Sequence, residues 1–242
     1  MSDSAISKQI AKVYQQVGEA CHKFRRDPAE VKVLAVSKTH PAEAVRAAAA
    51  TGQLAFGENY LQEALEKQQQ LTDLPELEWH FIGAVQSNKT RDIAENFAWL
   101  HTLDRQKIAQ RLNDQRPEHL PKLKVLIQVN ISDEGSKAGI APAALLTLAQ
   151  QVMQLPRLEL CGLMCIPKAS ESFAEQRQAF AQLAALQAEL KTQLKTQLKT
   201  QLQTPLNSLS MGMSGDLEAA VAEGSTLVRI GTAIFGAREK KD

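Results

Sequence analysis

The 242-residue sequence has few cysteines and aromatic residues and almost no excess of charge. Its three cysteines, Cys21, Cys161 and Cys165, form no C-x-x-C pair, so we expect free thiols in a reducing cytoplasm. With 28 basic and 27 acidic residues, the formal net charge of +1 offers no field to attract nucleic acid or an anionic membrane. No apolar run approaches the ~20 residues of a membrane span, and the N-terminus lacks an apolar signal core.

Several catalytic and nucleotide-binding motifs are also missing from the sequence. There is no His/Cys cluster with zinc spacing, no G-x-S-x-G elbow and no P-loop. An early G-x-G-x-x-G, which would be expected of a doubly wound dinucleotide-binding sheet, is absent as well. These absences argue against a zinc enzyme, an α/β-hydrolase and a nucleotide-binding fold.

Short apolar runs alternate with helical patterns along nearly the whole chain. After an opening helix at 4–25, we predict strands at 31–37, 54–57, 79–83, 97–102, 124–130, 158–164, 206–210 and 226–230. Strands that are apolar on both faces and separated by helices indicate a parallel sheet covered by helices. Eight such units fit an α/β fold of the (β/α)8 TIM-barrel type, which typically has ~250 residues. We therefore predict one barrel domain over residues 1–242, with an extra N-terminal helix.

Two turns rich in glycine and hydroxyl residues follow the last two predicted strands. The first is SMGMSG, from Ser210 to Gly215 and including Ser214, and the second begins at Gly231 and Thr232. Such turns present convergent backbone N–H groups, which suit a phosphate. In (β/α)8 barrels the usual phosphate site is built from the loops after strands 7 and 8. The two turns are therefore predicted to bind phosphate.

Lys38 lies at the C-terminal end of the first predicted strand, in AVSKTH. It shares strand parity with Leu34 and Val36, bulky residues suited to a barrel interior. Desolvation there would lower the pKa of its amine and suit it to Schiff-base chemistry with an aldehyde. A solvated lysine at a strand end is the alternative. Together with a phosphate site on the same rim, Lys38 suits a phosphorylated carbonyl ligand.

Arg229 sits inside the apolar run LVRIG, where a charge needs a partner. Strand alternation places it on the same face as Leu227 and Gly231. It is either one half of a salt bridge inside the barrel or a donor to a ring nitrogen or phosphate of a ligand. Asn59, in FGENY, either donates to a ligand at the rim or caps the next helix.

Three further features carry weaker expectations. His80 and Asn88 are candidates for either the rim or the core, and Asp133 and Glu134 are expected to be solvated turn residues. LKTQ occurs three times over 190–201, and we expect a tandem expansion that lengthens a surface helix until Pro205, without chemistry. Because a period of four overshoots a helical turn by about 40°, the leucines of this tract should spiral off a single face.

Six motifs in order along the chain resemble those of the pyridoxal-phosphate homeostasis protein family (YggS/PROSC-like). They are AVSKTHP, FGENYLQE, WHFIGAVQSNK, GLMCIP, SMGMSGD and STLVRIGTAIFG. The resemblance implies a barrel like the N-terminal domain of alanine racemase, with pyridoxal 5′-phosphate (PLP) held as a Schiff base on Lys38. It implies phosphate contacts from Ser210, Ser214, Gly231 and Thr232, and it places Arg229 against the pyridine nitrogen. The LKTQ tract departs from the family pattern.

The resemblance and the residues together predict a PLP-binding protein that carries, buffers or delivers the cofactor and is not an enzyme. An arginine beside the pyridine nitrogen disfavours its protonation and weakens the ring as an electron sink. Only six residues follow Gly236, so we expect no second domain of the racemase kind. We expect a monomer that passes PLP to apo-enzymes. The alternatives are a fold-type III PLP enzyme, such as a minimal amino-acid racemase, and a Schiff-base aldolase acting on a sugar phosphate.

Overall fold

The computed structural model describes residues 2–132, 138–198 and 206–236. Asp133, Glu134 and the LKTQ tract beyond residue 198 lie outside the described residues. Within the described ranges, no helix is long and apolar enough to cross a membrane.

Eight parallel strands close into a barrel in sequential order, with β1 paired to both β2 and β8. The strands are β1 Lys32–Val36, β2 Ala55–Glu58, β3 Glu78–Phe81, β4 Trp99–Leu103, β5 Leu123–Gln128, β6 Leu158–Met164, β7 Ser208–Ser210 and β8 Leu227–Ile230. The predicted closed barrel is confirmed, and each predicted strand overlaps an observed one. The overlap follows from strands that are buried on both faces and therefore stand out as short apolar runs.

Helices cover the outside of the barrel and alternate with the strands, as the sequence pattern predicted. They are α1 Asp3–Lys23, α2 Ala42–Ala49, α3 Leu61–Gln70, α4 Thr90–Asn96, α5 Gln106–Gln115, α6 Leu145–Met153, α7 Phe173–Leu198, α8 Leu217–Ala222 and α9 Thr232–Phe235. The extra N-terminal helix is α1, which packs against α2, α8 and α9.

The strand residues alternate between two apolar layers. Val33 and Ala35 belong to the large core between the sheet and the helices. A smaller cluster that includes Leu126 and Leu227 fills the barrel interior. Arg229 is two residues after Leu227 and therefore faces the interior as well, which agrees with the predicted alternation.

The LKTQ tract continues α7, whose described part reaches Leu198. Leu190 and Leu194 are buried, whereas Leu186 is half-buried and packs at the edge of the core. The first repeats therefore extend a packed helix, with leucines four residues apart against the core.

Candidate functional site

Lys38 lies just beyond the carboxyl end of β1 and is half-buried. In a closed parallel barrel the carboxyl ends of all strands meet at one rim, where barrel sites form. Because β1 pairs with β8 in the register Leu34 to Arg229, Lys38 stands four residues farther toward this rim than Arg229. Lys38 and Arg229 are thus positioned by the adjacent strands β1 and β8, with Arg229 deeper in the barrel.

Arg229 is buried, with 4% of its surface exposed. Its Nη1 donates to the Ser210 hydroxyl over 2.7 Å, and its Nη2 donates to the Cys165 carbonyl over 3.0 Å. No ion pair between described residues includes it, so the salt bridge considered as one alternative is not observed in that part of the chain. A buried guanidinium with only neutral hydrogen-bond partners favours a ligand that accepts hydrogen bonds.

The SMGMSG turn runs alongside the start of β8. The Arg229 backbone N–H donates to the Gly212 carbonyl over 2.9 Å, which joins the turn to that strand. Gly212 has a φ of 92°, and a Cβ there would collide with the Ala220 side chain, so the turn requires glycine. Ser214 lies exposed in the same turn, at the carboxyl ends of the strands.

The second turn begins where β8 ends. Gly231 precedes α9, and a Cβ at this position would press on the Val36 carbonyl oxygen at 3.2 Å. Thr232 opens the helix and is exposed. Since the first N–H groups of a helix have no acceptor within it, this turn can offer donors to an anion.

Asn59 and Ser210 occupy different levels of the barrel. Asn59 follows β2 at the rim and is half-buried, and its side-chain oxygen would lie 2.9 Å from a Cβ on Gly83. Because Tyr60 is the N-cap of α3, Asn59 precedes the cap position. Ser210 is fully buried, and its hydroxyl bonds to both Arg229 and His101. The Ser210 side chain is therefore engaged in the barrel interior.

A polar cluster centred on the buried Lys67 holds the two residues that flank Lys38. Lys67 Nζ donates to the Ser37 carbonyl at 2.7 Å and to the carboxylates of Glu58 at 2.8 Å and Glu63 at 2.5 Å. The Ser37 hydroxyl donates to Glu58 over 2.6 Å, and the Thr39 N–H donates to Glu63 over 2.6 Å. We call these five residues the Lys67 cluster.

The Lys67 cluster secures an unfavourable backbone conformation. Thr39 has a φ of 67°, in the left-handed region that a β-branched residue rarely adopts. Its hydrogen bond to Glu63 fixes the chain directly after Lys38. Residues 37–39, which we call the Lys38 loop, are therefore anchored on both sides of Lys38 by side chains of β2 and α3.

Sequence reasoning left some residues ambiguous and missed others. His80 is fully buried inside the barrel, whereas Asn88 is exposed in a 3₁₀ turn, Ser87–Lys89. Glu78 and His101 were not predicted to matter, yet both hydrogen-bond to His80. A sequence signal for them was available. Glu78 lies two residues before His80 on β3 and His101 lies two residues after Trp99 on β4, so each shares a strand face with that neighbour.

With this geometry established, comparison with known proteins identifies the family. Residues 13–239 match the family model described as alanine racemase, N-terminal domain. A pyridoxal phosphate homeostasis protein of Pseudomonas aeruginosa is 57% identical over 236 residues, covering 98% of this chain and 97% of the relative. One of Escherichia coli K12 is 50% identical and covers 97% of each chain. This chain belongs to the pyridoxal phosphate homeostasis protein family. The resemblance noted in the sequence is thereby confirmed.

Solved structures agree with the family assignment. PipY of Synechococcus elongatus, a structure with PLP bound, has a TM-score of 0.82 and 41% identity, and the match covers 96% of this chain and all of PipY. Alanine racemase of Corynebacterium glutamicum has a TM-score of 0.68 at 18% identity, and the match covers 98% of this chain and 61% of the racemase. At that identity the racemase supports the fold alone. That fold is the racemase-like barrel that the sequence motifs implied.

The residues at the rim fit the functional groups of PLP. A lysine at the rim suits an aldehyde, and two turns with glycine and hydroxyl residues suit a phosphate. The fit is tested most directly by Arg229, which makes no ion pair within the described structure, although the Asp216 carboxylate acts on it at longer range. Its direct hydrogen-bond partners are neutral, and it suits a further acceptor such as a ring nitrogen.

Proposed function

We propose that this protein binds PLP at the carboxyl end of its barrel and serves to carry, buffer or deliver the cofactor. The observation that carries the proposal is the buried Arg229 beneath a rim that holds Lys38 and two phosphate-type turns. The names of the 50–57% identical relatives and the PLP-bound structure of PipY support it.

Each candidate residue has a proposed part in binding. PLP would supply an aldehyde able to condense with a lysine amine with loss of water, and Lys38 is the lysine that would hold it. Ser214, Gly231 and Thr232 donate to the phosphate, and Asn59 contacts the ligand from the end of β2. Arg229 donates to the pyridine nitrogen. We assign Ser210 to Arg229, because its hydroxyl already accepts from that guanidinium.

The phosphate assignment predicts that pyridoxal without phosphate binds far more weakly than PLP. Thr232→Val removes one hydroxyl and should cost about 1.5–3 kcal/mol of PLP binding, the usual range for a hydrogen bond to a charged group. Absorbance titration with both ligands measures the two affinities. Thr196→Val, on the exposed side of α7, is the matched control and should leave them unchanged. Equal affinities for pyridoxal and PLP would show that these turns do not bind the phosphate.

A second prediction separates a carrier from a racemase. Because Arg229 faces the ring nitrogen as a hydrogen-bond donor, the ring should be a poor electron sink and the Cα proton of bound amino acids should exchange slowly. Proton–deuterium exchange at Cα of alanine and other amino acids in heavy water measures this directly. Sustained exchange at typical enzymatic rates, about 1–1000 per second, would contradict the carrier function and favour the racemase alternative. A colourless protein that turns over a sugar phosphate would favour the aldolase.

We further propose that residues 1–242 act as one PLP-binding domain, as a monomer in the cytoplasm, and that the domain passes PLP to apo-enzymes without binding nucleic acid or membranes. The balanced charge and the three free, buried cysteines support this setting. Sedimentation analysis and a transfer assay with an apo-enzyme test the monomer and the delivery step.

A further inference from the structure

A continuous chain of hydrogen bonds crosses the barrel interior behind Arg229. Arg229 Nη1 lies 2.7 Å from the Ser210 hydroxyl, which lies 2.9 Å from His101 Nδ1. His101 Nε2 lies 2.9 Å from His80 Nδ1, and His80 Nε2 lies 2.8 Å from Glu78 Oε1. We call these five residues the interior relay. It runs from β8 through β7 and β4 to β3.

The interior relay is shielded from solvent in its middle and reaches solvent at one end. Ser210, His80 and His101 have no exposed surface. Glu78 retains 28% exposure of its side chain and also pairs with Lys32 at the amino end of the barrel. The relay therefore connects the charged amino end of the barrel with the guanidinium that lies beneath the rim.

The charges at the two ends determine where every proton of the relay lies. Hydrogen bonds from His80 and Lys32 keep the pKa of the Glu78 carboxyl well below its usual range, although burial opposes them, so this end accepts only. Burial lowers the pKa of His80 to about 4. Burial, supported by the charge of Arg229, lowers the pKa of His101, so both rings are neutral. Arg229 can only donate.

Only one arrangement of hydrogens satisfies all four bonds. His80 must donate from Nε2 to Glu78, and so its Nδ1 accepts from His101 Nε2. His101 Nδ1 is then an acceptor, and the Ser210 hydroxyl must donate to it. The Ser210 oxygen therefore turns its lone pairs toward Arg229. In any other pattern, at least one pair of bonded atoms has two hydrogens between them or none.

The donor-to-acceptor direction of these hydrogen bonds fixes the orientation of the Arg229 guanidinium. Arg229 is held at Nη1 by Ser210 and at Nη2 by the Cys165 carbonyl, and these two bonds use two of its five N–H hydrogens. The guanidinium is planar and cannot rotate without losing both bonds, so the directions of its remaining hydrogens are fixed. A nitrogen placed against them meets only donors.

We infer that His101 and His80, through Ser210, are positioning residues that fix Arg229 as a donor to the ring nitrogen of PLP and so keep that nitrogen unprotonated. The inference rests on the proposed function and names the residues that control the electronic state of the bound ring. A purely structural role would require only that the buried polar groups be satisfied. A positioning role requires in addition that the ring nitrogen respond when the relay is broken.

The test uses the full chain loaded with PLP that carries ¹⁵N at the ring nitrogen. In the wild type the ¹⁵N resonance should lie at the unprotonated position, defined by free PLP at alkaline and acidic pH. His101→Phe, which removes both relay bonds of the ring, should shift the resonance toward the protonated position. The same variant should weaken PLP binding about tenfold to a hundredfold, the effect of one charge-assisted hydrogen bond.

Three further variants make the result unambiguous. Ser210→Ala breaks the relay at another bond and should give the same shift, which covers the case that His101→Phe fails to fold. His101→Gln retains an acceptor and a donor and should restore part of the wild-type resonance. His119→Phe replaces an exposed histidine outside the barrel and should change neither readout.

The outcomes distinguish the inference from the function on which it rests. A wild-type protein that takes up no PLP would overturn both. A wild-type protein that holds PLP, with unchanged resonance and affinity in both His101→Phe and Ser210→Ala, would overturn the positioning role and leave the PLP-binding proposal intact.

Discussion

Replacing Lys38 with arginine is expected to abolish the covalent attachment of PLP completely. A guanidinium stays protonated and cannot attack an aldehyde, whereas the other charged and polar groups of the rim remain in place. Borohydride reduction of the PLP-loaded wild type, followed by peptide mapping, should find the pyridoxyl mass on the peptide that contains Lys38. The Lys38→Arg protein should carry no such mass.

The control for Lys38 is another lysine at the same end of the barrel. Lys89 is exposed in the 3₁₀ turn after β3, and Lys89→Arg should leave the labelling at its wild-type level. Non-covalent PLP bound through the phosphate turns should persist in Lys38→Arg with reduced affinity. Labelling of a different lysine as the main site would refute the assignment of Lys38.

The fold was predictable because its determining signal is local in the sequence. Most strands are short apolar runs that are buried on both faces, and each strand is separated from the next by a helix. The rim residues followed from the same pattern, because Lys38 and Gly231 come directly after predicted strands. Predicted and observed strand ends differ by at most two residues, and those of β6 coincide, which is within the usual variation of element boundaries.

The polar networks could not be predicted because their partners are distant in sequence. Ser37 and Glu58 are 21 residues apart, and His101 and Ser210 are 109 residues apart. Only the register of the closed barrel brings these side chains within hydrogen-bond distance. Parity indicated which residues face inward, but it gave no information on which strand residues meet across the interior.

Lys67→Met should be among the most destabilising single substitutions in this protein. Lys67 and Glu58 are 4% and 0% exposed, and one oxygen of the Glu58 carboxylate already has no hydrogen-bond partner. Removing the ammonium leaves a buried carboxylate uncompensated, which typically costs about 3–5 kcal/mol of unfolding free energy. The backbone around Lys38 also loses the donor that holds the Ser37 carbonyl. Urea denaturation at neutral pH measures the loss.

The pH dependence of this loss identifies its cause. Burial raises the pKa of Glu58 even beside the charge and hydrogen bond of Lys67, and removing Lys67 raises it further. The folded variant then holds a proton that the unfolded chain has lost above its reference pKa of about 4.3, so its stability falls as pH rises through that window. The difference from the wild type should therefore widen as the pH rises above about 4 and level off above the raised folded pKa of Glu58.

Two matched variants separate the buried charge from lost packing. Adding Glu58→Gln to Lys67→Met removes the uncompensated charge, should recover part of the stability and should remove most of the pH dependence, although Glu63 also faces Lys67. Lys107→Met, on the exposed face of α5, should change stability by less than about 0.5 kcal/mol. A difference between Lys67→Met and the wild type that does not vary with pH would mean that Glu58 is not the group left uncompensated. In that case the Lys67 cluster would hold the Lys38 loop through its hydrogen bonds to Ser37 and Thr39, with charge playing no part.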